Sequence, residues 1–210
     1  MKQKPGWVLP DLKEAQKRTT NTIDRIDTFT IPEVARMMGR GKTYFISTYG
    51  CQANERDSET LAGILDELGF TPNETAEGSD VIIINTCAIR QNAEEKVLGE
   101  IGNFKRLYRE NIDLIIGVCG CMAQEEGLVE TLLTKYPQVR LLFGTHNIQE
   151  LPSMLYSCMY EGKKVVKIYS KEGEVYENLP VHRFGTFKAW VNIMYGCDKF
   201  CTYCIVPYTR

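Results

Sequence analysis

Between Thr43 and Cys158 the chain alternates four times between a short apolar run and an amphipathic stretch, and that order admits few folds. Val81-Ile-Ile-Ile84 is apolar at every position, the pattern of a strand covered on both faces. Thr43–Thr48, Leu114–Val118 and Val139–Phe143 are the other predicted strands. Leu61, Ile64, Leu65 and Leu68 recur at i, i+3, i+4 and i+7, on one face of a helix. Asn54, with Asp57 three residues on, predicts its N-cap, and Gly69 its stop. Val97, Ile101, Phe104 and Tyr108 mark a second helix, Leu128, Leu132 and Tyr136 a third. Ile148, Leu151, Leu155 and Cys158 mark a fourth. Strand–helix repeats in this order predict an α/β fold, a right-handed doubly wound parallel sheet over 41–160.

The flanks differ. Residues 1–40 lack periodicity and carry several Pro and Gly, which predicts a largely disordered arm with a short helix near Pro32–Met38. That arm holds 8 basic and 5 acidic side chains in a chain of net charge −2, a mild sign of RNA contact that a solvated tail explains as well. Residues 161–187 are polar and read as a linker with one hairpin strand at Lys164–Tyr169. Ala189–Met194 reads as the strand opening a further unit over 188–210. A hydrophobic content of 43% supports a buried core, yet no apolar run nears the roughly 20 residues of a membrane helix. The first ten residues lack the apolar stretch of a signal peptide, so the chain reads as soluble and cytoplasmic.

Eight cysteines then demand an account, because thiols stay reduced in the cytosol and so many there suggest metal ligation or redox chemistry. Cys51, Cys87 and Cys121 lie 36 and 34 residues apart, each just past a predicted strand. One βαβ crossover consumes about 30 residues, and all strands of a parallel sheet end at one edge, where ligands bind. The fold would thus carry three distant thiols to one place, where they could hold an iron–sulfur cluster with one iron lacking a protein ligand. They could equally be small residues at crowded loop starts. Cys119 is expected to face the covering helices, and Cys158, on an apolar stripe, to be core packing.

The last three thiols are local: Cys197, Cys201 and Cys204 form a Cys-x3-Cys-x2-Cys group. Three thiolates do not complete a four-ligand zinc site, although Cys158 or His182 could be borrowed as a fourth. An iron–sulfur cluster with an open iron matches the count better. His146 and His182 read as surface or loop residues.

This group, with Tyr203 before the last thiol, resembles the cluster loop of radical S-adenosylmethionine enzymes. Ser47–Asn54 with Asp57–Glu59, Asn85–Arg90, Cys119–Gln124 and Phe143–Asn147 resemble the first domain of the methylthiotransferases within that superfamily, and Tyr195–Arg210 resembles their cluster loop. The likeness covers 41–210. Asn85–Arg90 followed by Ala93–Val97 is similar to the branch that adds a methylthio group to C2 of isopentenylated adenosine beside the anticodon of tRNA. Branches acting on threonylcarbamoyl-adenosine or a ribosomal protein remain alternatives, as does a non-catalytic metal-binding α/β domain.

The resemblance implies two 4Fe-4S clusters, one on Cys51, Cys87 and Cys121 and one on Cys197, Cys201 and Cys204. It also implies S-adenosyl-L-methionine at the second cluster, with Tyr203 near its adenine. Implied partners are tRNA and an electron donor such as flavodoxin or ferredoxin, with no membrane and a monomeric enzyme. The chain ends at Arg210, inside what would be the first loop of a partial β/α barrel. The expectation is therefore a complete first domain, only the opening strand and cluster loop of the second, and no turnover by the 210-residue chain alone.

Overall fold

A computed structural model describes residues 24–26, 28–88, 91–125, 127–168, 174–197 and 199–209. The strands in chain order are β1 (Asp24–Ile26), β2 (Thr43–Thr48), β3 (Thr71–Pro72), β4 (Val81–Thr86), β5 (Ile115–Gly120), β6 (Val139–Phe143), β7 (Val165–Lys167) and β8 (Glu174–Tyr176). The helices are α1 (Gln52–Glu67), α2 (Gln91–Glu110), α3 (Leu128–Lys135), α4 (Leu151–Tyr160) and a single turn, α5 (Val206–Thr209). Six strands form a sheet in the order β3-β2-β4-β5-β6-β7, parallel at every pairing.

The apolar runs explain why β4 and β5 lie at the centre. Every residue of both strands is buried, and successive side chains feed opposite cores. Val81, Ile83, Ile115, Leu141 and Phe143 join Leu61, Ile64 and Leu65 of α1 and Met154, Leu155 and Cys158 of α4. Ile82, Ile84, Ile116, Val118 and Leu142 meet Val97, Ile101 and Phe104 of α2 and Leu128, Val129 and Leu132 of α3. Two helices on each face make the sheet doubly wound, as the alternation of segments predicts. Cys119 and Cys158 lie in the α1–α4 core, as packing residues.

The flanks depart from expectation. Residues 28–40 are not a free arm: Ala35 and Met38 are buried, and Phe29 and Ile31 pack against the same core. The short helix expected near Pro32–Met38 is one 3-10 turn, Glu33–Ala35. Residues 1–23 lie outside the described residues. Val165–Lys167 is no hairpin strand but the parallel edge of the main sheet, paired with β6. β8 pairs instead with β1, as a separate two-stranded parallel piece. Ala189–Met194, expected as a strand, has no regular structure. A strand exists by pairing with a neighbour, and none lies beside this segment among the described residues. Val191, Ile193 and Met194 stand exposed.

A strap lies across α1. Pro180 and Val181 pass so close to Gly63 that a Cβ there would sit 2.5 Å from their backbone. The His182 amide donates to the Glu59 carbonyl at 2.9 Å, and His182 Nδ1 lies 2.6 Å from Asp66 Oδ2. Arg183 pairs with Glu59, while Lys188 Nζ and Trp190 Nε1 donate to Glu55 Oε2 at 2.7 and 2.9 Å. The Lys188 ammonium holds the Glu55 carboxyl below the usual range.

Candidate metal centre

Three neighbouring strands deliver the first cysteine group. β2 and β4 pair Thr48 with Asn85, and β4 and β5 pair Thr86 with Gly120, so their carboxyl ends lie side by side. Each end leads directly into a cysteine turn, at Cys51, at Cys87 and at Cys121. Cys51, not Asn54, is the N-cap of α1: its backbone is extended, and Asn54 occupies the third helical position. The two residues face each other reciprocally, as in a capping box. Asn54 Oδ1 accepts from the Cys51 amide and from its thiol, both at 3.3 Å. Gly69 ends the helical segment at φ +86°, as expected. Cys121 opens a 3-10 turn, Cys121–Gln124, beyond Gly120.

Glycine makes this crowding possible. Gly50 has φ +146° and Gly120 φ +97°, a region that costs other residues strain. A Cβ on Gly50 would lie 2.5 Å from Cys87 Cβ and from Asn54 Oδ1. A Cβ on Gly120 would lie 2.2 Å from the Thr86 carbonyl oxygen. The turn before Cys51 therefore abuts Cys87, and the turn before Cys121 abuts the residue before Cys87.

Two buried asparagines tie the turns together. Asn54 Nδ2 donates to the Thr86 carbonyl at 2.8 Å and to Asn85 Oδ1 at 3.1 Å. Asn85 Nδ2 returns bonds to the Asn54 carbonyl and to Ser58 Oγ, both at 2.9 Å. Thr48 Oγ1 lies 2.7 Å from the same Ser58 hydroxyl, and Thr86 Oγ1 donates to the Cys119 carbonyl at 2.5 Å. The Tyr49 amide donates to the Asn85 carbonyl at 2.8 Å, and burial pushes the Tyr49 phenol up. Sequence reading treats Asn54 as a cap and gives Asn85 no part. The available signal is a carboxamide ending an otherwise apolar central strand, where a buried amide needs a partner.

Cys87 and Cys121 are buried and Cys51 is half-buried. Among the described residues no three His, Cys, Asp or Glu side chains stand close enough together to grip one ion. The donor set nonetheless fits an iron–sulfur cluster: three thiols on adjoining turns, with backbone in the left-handed region beside two of them. Gln124, at the end of the Cys121 turn, is buried with Oε1 lacking a hydrogen-bond partner. Its Nε2 donates to Thr145 Oγ1 at 3.4 Å and lies where a Cβ on Gly144 would intrude, at 2.7 Å.

The second cysteine group is different. Cys197 and Cys201 are exposed and Cys204 is half-buried, with the Cys204 amide bonded to the Cys201 carbonyl at 2.9 Å. Tyr203 stands in solvent at 92% exposure. Just beyond, α5 packs on the Cys121–Gln124 turn, and Thr145 Oγ1 donates to the Thr209 carbonyl at 2.8 Å. The residues after the second group thus rest on the sheet edge that carries the first. Cys158 and His182, the possible fourth ligands for zinc, are otherwise engaged, in the core and with Asp66. His146 sits half-buried in the 3-10 turn Thr145–Glu150.

Five of the sheet's six strands, β2 to β6, and the cysteine edge lie within residues 43–144, the span that matches the family described as Uncharacterized protein family UPF0004. The matched segment runs from the first residue of β2 to the glycine after β6, so Cys51, Cys87 and Cys121 lie inside it and Cys197, Cys201 and Cys204 outside. The likeness to curated proteins extends beyond that segment. A tRNA-2-methylthio-N(6)-dimethylallyladenosine synthase of Geobacillus thermodenitrificans is 56% identical over 201 residues, 96% of this chain and 38% of its own length. Proteins of the same name from Staphylococcus saprophyticus and Bacillus licheniformis are 57% and 55% identical, with 39% and 40% of their lengths covered. The chain spans about two-fifths of the curated relatives it matches. Among the described residues no helix is long and apolar enough to cross a membrane.

Proposed function

We propose that this chain is the N-terminal part of a tRNA-modifying methylthiotransferase acting at C2 of N6-isopentenyladenosine beside the anticodon. In this reading Cys51, Cys87 and Cys121 hold one 4Fe-4S cluster and Cys197, Cys201 and Cys204 a second, to which S-adenosyl-L-methionine binds with Tyr203 beside it. The observation that carries the reading is the abutment of three cysteine turns at one sheet edge, with Gly50 against Cys87 and Gly120 against Thr86. The names of the relatives support the substrate, and their identity over 96% of this chain supports carrying it across. The wider reading includes tRNA and a flavodoxin- or ferredoxin-like electron donor as partners, a monomeric state and a cytoplasmic location. The turnover itself is read for a protein of the relatives' full length.

When bound, such clusters supply one-electron transfer and an iron free to take a small ligand. The chain's own residues contribute the geometry. β4 and β5 fix the origins of the Cys87 and Cys121 turns in a fully buried sheet, and α1 fixes Cys51 by its first turn. The packed edge excludes water from Cys87 and Cys121, while the half-buried Cys51 leaves one side open. The strap from Pro180 to Trp190, held on α1, joins the first cysteine group to the second.

The test is iron and acid-labile sulfide content after anaerobic reconstitution of the parent and of Cys51→Ala. Loss of about four irons per chain in the variant supports a cluster at the sheet edge. Equal iron in both would make Cys51 a packing residue and remove the first cluster from the reading. Zinc without sulfide would point to a metal-stabilised binding domain.

A further inference from the structure

We infer that Asn54 and Asn85 are positioning residues of the three-thiol centre, a reciprocal amide pair that sets the relative places of the Cys51, Cys87 and Cys121 turns. The inference rests on reading those thiols as cluster ligands. Its basis is the juxtaposition of one pair of carboxamides with all three turns.

Asn54 Oδ1 faces both the amide and the sulfur of Cys51 at 3.3 Å. Its Nδ2 donates to the Thr86 carbonyl, whose peptide bond leads into Cys87. Asn85 Oδ1 lies where a Cβ on Gly120 would approach to 2.6 Å, and the Gly120 peptide leads into Cys121. Both asparagines are wholly buried.

Every polar atom of the pair is engaged. Asn54 Oδ1 accepts from Cys51, and Asn54 Nδ2 donates twice. Asn85 Oδ1 accepts from Asn54, and Asn85 Nδ2 donates to the Asn54 carbonyl and to Ser58. Rotating either amide by half a turn would set donor against donor and acceptor against acceptor, so the pair has one arrangement. The backbone ladder fixes strand against strand, but it does not fix the first turn of α1 against the end of β4. The asparagine pair makes that link, and the link includes the sulfur of Cys51.

Aspartate is the sharp probe, because it keeps the shape and removes the N–H donors. Asn54→Asp leaves the Thr86 carbonyl without its side-chain donor and turns an oxygen toward Asn85 Oδ1. Asn85→Asp withdraws the donors to the Asn54 carbonyl and to Ser58. Ser58→Ala is the comparison, since the Ser58 side chain bonds to Asn85 and Thr48 but to no cysteine and to no residue adjoining one.

The experiment uses the full chain with Cys197, Cys201 and Cys204 changed to alanine, so that only the first group can load. Each protein is reconstituted anaerobically with ferrous iron and sulfide. Iron per folded chain, visible absorption and the electron paramagnetic resonance of the reduced sample are then read beside far-ultraviolet circular dichroism. The expected result is parental iron in Ser58→Ala. In Asn54→Asp and Asn85→Asp, iron should fall to less than about half, with an altered resonance from what remains.

Parental iron and an unchanged resonance in folded aspartate variants would overturn the inference while leaving the centre standing. Failure of the parent itself to load would overturn the centre, and the inference with it. Should an aspartate variant not fold, Asn54→Ser and Asn85→Ser, which add no charge, are read in the same way.

Discussion

The carboxylate of Glu59, buried in the second turn of α1, pairs with the guanidinium of Arg183, 124 residues further along the chain. Only 4% of the Glu59 side chain is exposed, against 39% of Arg183. The pair therefore has one desolvated end and one wet end. It fastens the strap at a point where the chain returns from the sheet toward the second cysteine group.

Removing Arg183 strands the buried carboxylate. A fully buried pair broken in this way costs 3–5 kcal/mol, and solvent screening at Arg183 lowers the expectation for Arg183→Ala to roughly 1–3 kcal/mol. Adding Glu59→Gln should recover part of that loss, because the stranded charge is gone. Lys188→Ala, at the exposed pair with Glu55, should change stability by less than about 0.5 kcal/mol. Urea unfolding measures all three, and equal losses for Arg183→Ala and Lys188→Ala would contradict the argument.

Glycines on this scaffold divide into two kinds, and alanine separates them. At Gly120 the new methyl would sit 2.2 Å from a backbone oxygen with φ at +97°, so Gly120→Ala should lose roughly 2–4 kcal/mol. Gly99 and Gly102 lie on the outer face of α2 with open space at the Cβ position. Alanine at either should gain about 0.5–1 kcal/mol, since glycine within a helix wastes chain entropy. The readout is the urea midpoint of each variant.

What the sequence made legible followed from how local the cause was. Strands β4, β5 and β6 lie within a residue or two of the apolar runs, because near-continuous burial leaves a near-continuous apolar signature. Edge strand β3 has two exposed residues, so its cause is pairing with a neighbour, which no pattern in its own residues records. β7 has the residues of the strand expected at Lys164–Tyr169, but they do not record its parallel partner β6. Ala189–Met194 shows the converse: it has the residues of a strand and no paired neighbour.

The cysteine edge was legible as topology, since spacing plus a parallel sheet brings strand ends together. The side-chain web that seats the turns was not. Cys51 in place of Asn54 as the helix cap is a shift of three residues within one local motif, where a thiol is an unusual cap. Asn85 as the partner of Asn54 depends on residues 31 apart meeting in the fold. His182 gave no hint of Asp66 for the same reason, at a separation of 116.

Cys158 yields the pH prediction. It is fully buried on α4, its Sγ lies 3.6 Å from the Arg140 carbonyl, and burial pushes its thiol up to about 11 against the opposing pull of the Arg140 guanidinium. An unfolded chain ionises this thiol near pH 8.5, so between there and about pH 11 only the unfolded state has released the proton. The contribution to stability is therefore full below about pH 8.5 and is lost as pH rises toward 11, by up to ~3 kcal/mol. Tyr44, also pushed up by burial and by its bond to Asp66, adds a loss of the same sign above about pH 10. That loss is common to the parent and to Cys158→Ala and cancels in their difference. Urea unfolding from pH 7 to 10.5 should show the parent falling more steeply than Cys158→Ala, and parallel curves would mean that the buried thiol does not govern the alkaline arm. In the same native protein at pH 8, iodoacetamide should label the exposed Cys201 and leave Cys158 unlabelled until urea unfolds the chain.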